Sequence, residues 1–225
     1  MRDFNRQHII AFETSTPVCS VALHRNDGAV FERSATGSGV HSEKLFLFTK
    51  EVLAESGITF PNIESILVNN GPGSYTGLRI GSSAAKGMIF GSDKKLISVQ
   101  SLASVALGGF LKDKQNKRVH AVINARRTHL YHQLFDITNG ILTALTEADI
   151  KPISEITEMC KDDEVIAGTG IERLDKQVLT RCVQVKNEDA IRASNMIELI
   201  KKKDNHSFFS EVHAARFEPL YQLEE

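Results

Sequence analysis

The chain has 225 residues, is 41% hydrophobic and 24% charged, and carries a formal net charge of −1. That length suffices for one large domain or two small lobes, and the balanced charge excludes a global field that would draw it to nucleic acid or a membrane. Its three cysteines, Cys19, Cys160 and Cys182, form no CxxC pair of the kind that holds zinc or runs redox chemistry. No segment has the apolar length of a signal-peptide core or a membrane span. A cytoplasmic, reduced protein without membrane contact is the expectation.

The first half opens with an apolar strand, His8 to Glu13, then a turn, Thr14-Ser-Thr-Pro17, and a second strand, Val18 to His24. Arg25-Asn-Asp-Gly28 has hairpin composition and leads to a third strand, Ala29 to Arg33. A helix follows from His41 to Glu55, with Leu45, Phe48, Thr49, Val52 and Leu53 on one stripe, ended at Ser56-Gly57. The strand Ser65 to Val68, a helix from Ser74 to Phe90, the strand Leu96 to Val99 and a helix from Ser101 to Phe110 complete this half. Lys112 to Arg118 is charged and apolar-free, a linker.

The order then repeats. Val119 to Ala125, His129 to Phe135 and Ile141 to Leu145 read as three strands, the last two joined by the hairpin Asp136-Ile-Thr-Asn-Gly140. A helix from Ile153 to Cys160, the strand Glu164 to Ala167, a weaker helix from Ile171 to Leu179, the strand Cys182 to Val185 and a helix from Asp189 to Lys203 follow. Each half reads strand, strand, strand, helix, strand, helix, strand, helix. The expected architecture is α/β, two tandem ribonuclease-H-like lobes with mixed sheets flanked by helices, residues 1–111 and 119–225. Such lobes in tandem describe the actin, sugar-kinase and Hsp70 superfamily.

The segment NGPGSYTGLRIG, Asn70 to Gly81, is the most distinctive stretch. It is not a Walker loop, because Leu78 stands where that motif needs lysine, and not a nucleophile elbow, because Ser74 lacks the flanking glycines. It is a near-match to G-x-G-x-x-G, with Thr76 at the third glycine. A mechanical reading is stronger: Gly71 and Gly73 allow a tight strand-to-helix turn, Ser74 caps the helix, and Gly77, Gly81, Ala84 and Ala85 form a small-residue strip for close helix packing. In the preceding helix, Leu45-Phe-Leu-Phe48 is apolar all round, so Phe46 and Leu47 need a partner beyond their own sheet.

Together, GPGSYTGLRIG, the opening IIAFETSTPVCSVAL, VHSEKLF, VINARRTHLYHQLF and the tail EPLYQL resemble the TsaB (YeaZ) family over nearly the whole chain. The resemblance implies a role in placing the threonylcarbamoyl group on the adenosine beside the tRNA anticodon. It implies a TsaD-like catalytic partner, a TsaE-like ATPase and tRNA met only within the complex; without the partner, the apolar patch can self-pair as a homodimer. The expected partner-binding residues are His41, Leu45, Phe46, Leu47, Ser74, Tyr75, Gly77, Leu78, Gly81 and Ala85.

Catalytic, metal and cofactor sites are not expected. An actin-like phosphate turn usually reads Asp-x-Gly-Thr; here Glu13, Thr14 and Ser15 stand at the first-lobe turn without a glycine. The second-lobe turn has Asn124 and Arg126, where the family usually shows Asp-Ala-Arg, and asparagine lacks the charge to hold Mg²⁺. TsaD-like enzymes carry an H-x-x-x-H pair, but Leu45 stands where the second histidine would follow His41. His129 and His132, three apart on a strand, are expected on opposite faces. The rival readings are an ATP-dependent enzyme or metallopeptidase of the glycoprotease type, and a direct tRNA-binding module.

Overall fold

In the computed structural model, residues 3–125 and 127–220 are described. The first half forms β1 (Ile9–Glu13), β2 (Val18–His24), β3 (Val30–Thr36), α1 (Val40–Ser56), β4 (Ser65–Gly71), α2 (Tyr75–Ile89), β5 (Lys95–Gln100) and α3 (Ser101–Lys112). The second half forms β6 (Arg118–Asn124), β7 (His129–Thr138), β8 (Ile141–Ala144), β9 (Asp149–Pro152), α4 (Ile153–Met159), β10 (Val165–Gly168), α5 (Lys176–Arg181), β11 (Val183–Lys186), α6 (Asn187–Ala190), α7 (Ala193–Lys201) and β12 (Phe209–Val212).

The first sheet runs β12-β5-β4-β1-β2-β3 and the second β11-β10-β6-β7-β8, with β9 on β7. In each, antiparallel hairpins flank a parallel trio, β1-β4-β5 or β6-β10-β11. The hairpins turn at Gly28 and Gly140, whose φ of 94° and 76° only glycine adopts without strain. The two-lobe α/β architecture expected from the element order is therefore present. The ends of elements differ. The helix expected over 189–203 breaks at Ile191–Arg192 into α6 and α7, and the stretch 171–179 becomes a short 3-10 turn followed by α5.

Three layers of core result. α1 and α2 cover the outer face of the first sheet through Leu45, Phe48, Val52, Ala85 and Ile89, packed on Ile10, Phe12, Ile66 and Val68. α3 and α7 lie between the sheets, sharing one continuous core with Ile9, Ala11 and Leu67 on one side and Val119, Ala121 and Val165 on the other. α4 and α5 cover the second sheet's outer face over Val122, Leu130 and Ile166. Because α3 is enclosed by both sheets, residues Ser101 to Phe110 are all buried, which explains their apolar and small composition.

The halves are not separate at the level of sheets. β12, from the end of the second half, pairs antiparallel with β5 and completes the first sheet. The N-terminus of α7 has no cap from its own side chains. Ser20 Oγ on β2 accepts from Ala193 N–H at 3.1 Å, and Glu32 Oε1 on β3 accepts from Ser194 N–H at 3.1 Å. Glu32 also takes the Ser194 hydroxyl at 2.8 Å and the Arg192 guanidinium at 3.2 Å. A carboxylate at a helix N-terminus answers both the orphan amides and the dipole. Thr36 and Glu188 add a further hydrogen bond between the halves. Among the described residues, no helix is long and apolar enough to cross a membrane.

Candidate functional sites at the interlobe turns and the outer helix pair

Glu13 ends β1 at the mouth between the lobes, yet its side chain is fully buried. Oε1 accepts from Ser15 N–H at 2.8 Å and from the Ser15 hydroxyl at 2.6 Å. Oε2 accepts from Asn69 Nδ2 at 2.9 Å, while Asn69 Oδ1 accepts from Thr14 N–H at 3.2 Å. Burial raises the Glu13 pKa above the usual carboxylate range, outweighing the hydrogen bonds from Ser15 and Asn69 that pull it down. The extra methylene relative to aspartate lets the carboxylate fold back on its own turn. The result is a clasp joining β1, its turn and β4.

The glycine-rich segment closes on the same turn. Ser74 N–H donates to Ser15 O at 2.7 Å. Ser74 Oγ accepts from Gly77 N–H at 3.2 Å, the helix cap expected from its position. A Cβ added at Gly77 would collide with the carbonyl oxygen of Thr14, and one at Gly81 with its hydroxyl. The small-residue strip is thus a device for seating α2 against the chain's own β1–β2 turn. This corrects the expectation that Gly77 and Gly81 receive a partner's helix. Leu45, Leu78 and Ala85 likewise point into the core. His41 is half-buried, its Nε2 3.2 Å from Val18 O, and burial pushes its pKa below the usual imidazole range.

At the surface, the expected partner residues Phe46, Leu47 and Tyr75 stand 59%, 42% and 48% exposed. Ser74 is exposed beside them. α1 and α2 pack side by side, so these residues belong to one outward face. Sequence reasoning missed other members: Arg79, stacked 5.1 Å over the Tyr75 ring, and Phe90, 91% exposed at the end of α2. Thr76, Arg79, Ser83 and Gly87 recur at intervals of three or four on the exposed side of α2, a periodic signal the sequence did contain.

The second-lobe turn is built differently. Asn124 is exposed; its N–H donates to Thr169 Oγ1 and its Nδ2 to Thr169 O, both at 3.0 Å. The Arg173 guanidinium donates to Asn124 Oδ1 at 3.3 Å and to His129 O at 3.1 Å. Arg126 lies outside the described residues. These two turns do not fit a bound Mg²⁺: one carboxylate is buried and fully hydrogen-bonded, and the opposing side chain is a neutral amide. Among the described residues, no three His, Cys, Asp or Glu side chains are arranged to hold a metal.

A second polar cluster lies under the outer helices of the second sheet, away from both turns. His120 Nε2 is 2.9 Å from Glu164 Oε2 and His120 Nδ1 is 2.9 Å from His132 Nε2. Donation from His120 Nε2 to the carboxylate leaves Nδ1 to accept from His132. Burial lowers both imidazole pKa values, that of His132 to about 3, so both are neutral near neutral pH. Both rings are fully buried, which suits a structural network rather than chemistry on a substrate. Sequence alone sets His129 and His132 on opposite faces of one strand and offers no partner for His132; the register Val122↔His132 and His120↔Leu134 sets His132 diagonally across from His120.

Comparison with known proteins places this geometry. Residues 30–204 match the family described as "TsaD: tRNA N6-adenosine threonylcarbamoyltransferase". The tRNA threonylcarbamoyladenosine biosynthesis protein TsaB of Escherichia coli is 34% identical over 166 residues, 72% of this chain and 71% of that protein. The chain belongs to the TsaB family. TsaB of Bacillus subtilis is 28% identical over 69% of this chain and 67% of that protein. YeaZ from Pseudomonas aeruginosa shares the fold with a TM-score of 0.79 at 23% identity, over 96% of this chain and 100% of that chain. A transferase from Symbiobacterium thermophilum is 36% identical over 98 residues, 44% of this chain but 28% of that protein. The likeness to the transferases is therefore partial, whereas the likeness to TsaB proteins runs along most of the chain.

Proposed function

We propose that the chain is a TsaB-type subunit, without chemistry of its own, in threonylcarbamoylation of the adenosine beside the tRNA anticodon. It pairs with a TsaD-type transferase through the outward face of α1 and α2, and a TsaE-type ATPase joins the pair. The tRNA is met within that assembly, which sets the work in the cytoplasm. The observation that carries the reading is the set of exposed side chains Phe46, Leu47, Tyr75 and Phe90 on two adjacent helices whose opposite faces are fully packed. Large apolar side chains clustered on a surface usually mark association. The clasp around Glu13 and the neutral Asn124 support a role outside catalysis.

Mixing the purified chain with the TsaD-type protein of the same organism should give a 1:1 complex by size-exclusion chromatography with light scattering. Phe46→Asp should abolish it while leaving the circular dichroism spectrum unchanged. The chain alone should hydrolyse neither ATP nor peptide with Mg²⁺ or Zn²⁺ present. Turnover by the isolated chain would favour the glycoprotease-type enzyme reading instead.

A further inference from the structure

The second half grips the first sheet at both of its edges. At the β5 edge, β12 adds the last strand, with Phe209 opposite Val99 and Val212 opposite Leu96. At the β3 edge, Glu32 holds the start of α7 and the residue before it. Its carboxylate accepts four hydrogen bonds: from the Ser20 hydroxyl at 2.8 Å, the Ser194 N–H at 3.1 Å, the Ser194 hydroxyl at 2.8 Å and Arg192 Nη1 at 3.2 Å. Three of those four donors belong to the second half. Arg192 Nε in turn donates to Glu188 O at 3.0 Å, and the Glu188 carboxylate takes the Thr36 hydroxyl of β3. The network runs from β3 through α6 and α7 and back to β3.

Between these edges lies a third grip. α3, from the first half, packs against α6 and α7 of the second. A Cβ added at Gly108 would lie 2.0 Å from the Ala190 carbonyl oxygen, and one at Gly109 2.7 Å from the Ala167 Cβ on β10. At this range a rotation of one half against the other drives α3 into its neighbours. Lobes that close on a ligand swing about a few loop residues. Here the chain crosses between the sheets at residues 113–117 and again at 202–208, and three sets of contacts span them. Glu32 is the member of these that a single change removes. Its side chain is 14% exposed, and α7 has no cap of its own for the amide it serves.

We infer that Glu32 is the latch of an interlobe lock, which makes the chain one rigid body whose lobes neither open nor close on a ligand. Any assembly then receives a subunit of fixed shape, with whatever binds one lobe held at a set distance and angle from whatever binds the other. This holds whichever protein covers α1 and α2.

Spin labels on Ala54→Cys of α1 and Lys176→Cys of α5, both exposed positions, report the interlobe distance by double electron–electron resonance; the native thiols of Cys19, Cys160 and Cys182 are buried. The otherwise wild-type chain should give one narrow distance that moves by less than about 2 Å when Mg²⁺-ATP or the TsaD-type protein is added. Glu32→Ala should broaden that distance or add a second population, and should speed hydrogen exchange at the Ala193 and Ser194 amides about tenfold or more. Ile166→Val, a core change under α4 and α5 that spares the lock, should keep the narrow distance and the slow exchange, which separates unlocking from general softening. Should Glu32→Ala fail to fold, Ser194→Ala keeps the carboxylate and should give a smaller rise in the same exchange. A wild-type distance that is broad, or that moves further than this with nucleotide or partner, overturns the inference. So do latch variants whose distance and exchange both match wild type.

Discussion

The turns that follow β1 and β6 occupy the same place in the same topology, yet they handle their polar side chains in opposite ways. At the first, Glu13 is enclosed, accepts three hydrogen bonds and holds β1, its turn and β4 together. At the second, Asn124 is exposed and its amide spans a loop to Thr169 under Arg173. An acid at the first position is easily mistaken for a ligand position. Its surroundings make it part of the scaffold, while the second position carries a neutral amide. What a carboxylate can hold depends on whether its oxygens are free as well as on its presence.

That contrast can be tested, beginning with the largest effect. Gly77→Leu should force α2 away from the Thr14 carbonyl and cost about 3 kcal/mol or more, since the obstacle is backbone. For a chain of this size, thermal unfolding should then shift down by roughly 10 °C. Glu13→Ala should cost about 2–3 kcal/mol by denaturant unfolding, because the donors of Ser15 and Asn69 stay buried without an acceptor. Asn124→Ala, at an exposed site, should cost about 1 kcal/mol or less.

The next prediction concerns pH. The Glu13 pKa is raised in the fold, so the folded state holds this proton more tightly than the unfolded chain. Its contribution is full below the unfolded carboxylate pKa and is lost as pH rises through the folded value, by up to about 1.4 kcal/mol per pH unit. His132 acts in the opposite sense: its pKa is lowered to about 3, so its contribution is lost as pH falls from the ordinary imidazole range toward that value. Glu13→Gln should remove the first slope and keep the second, as read from unfolding free energies across a pH series. A variant whose pH profile parallels wild type would show that Glu13 does not titrate within its clasp.

The smallest effect should come from Asn124→Asp, which changes stability by about 0.5 kcal/mol or less because the site is solvated. It should not confer Mg²⁺-dependent nucleotide binding by calorimetry, since the opposite carboxylate remains enclosed. Magnesium binding by this single variant would break the comparison of the two turns.

Much of the fold was legible because its signals are local. Hairpin glycines at 28 and 140, the stripe on α1 and the Ser74 cap each act within a few residues, and their order alone specifies the two lobes. Pairings between distant segments left no such trace. β12 is four residues long and reads as unremarkable sequence until β5 lies beside it. The His120–His132 contact depends on the register of β6 against β7. At the candidate site, the apolar excess of Phe46 and Leu47 was readable, because a helix can bury only one side against its sheet. The orientation of the glycine strip was not. Residues 77, 81 and 85 share a side of α2 whichever body they meet, and only the position of Thr14 shows that the body is internal.

The route of the last strand has a consequence for synthesis. The first sheet lacks its edge at β5 until residues 209–212 have left the ribosome, and the Ser20–Glu32 cap waits for residues 193 and 194. A nascent chain that has just emerged through α3 is therefore an unfinished template with an open strand, in need of shelter until residues 209–212 follow.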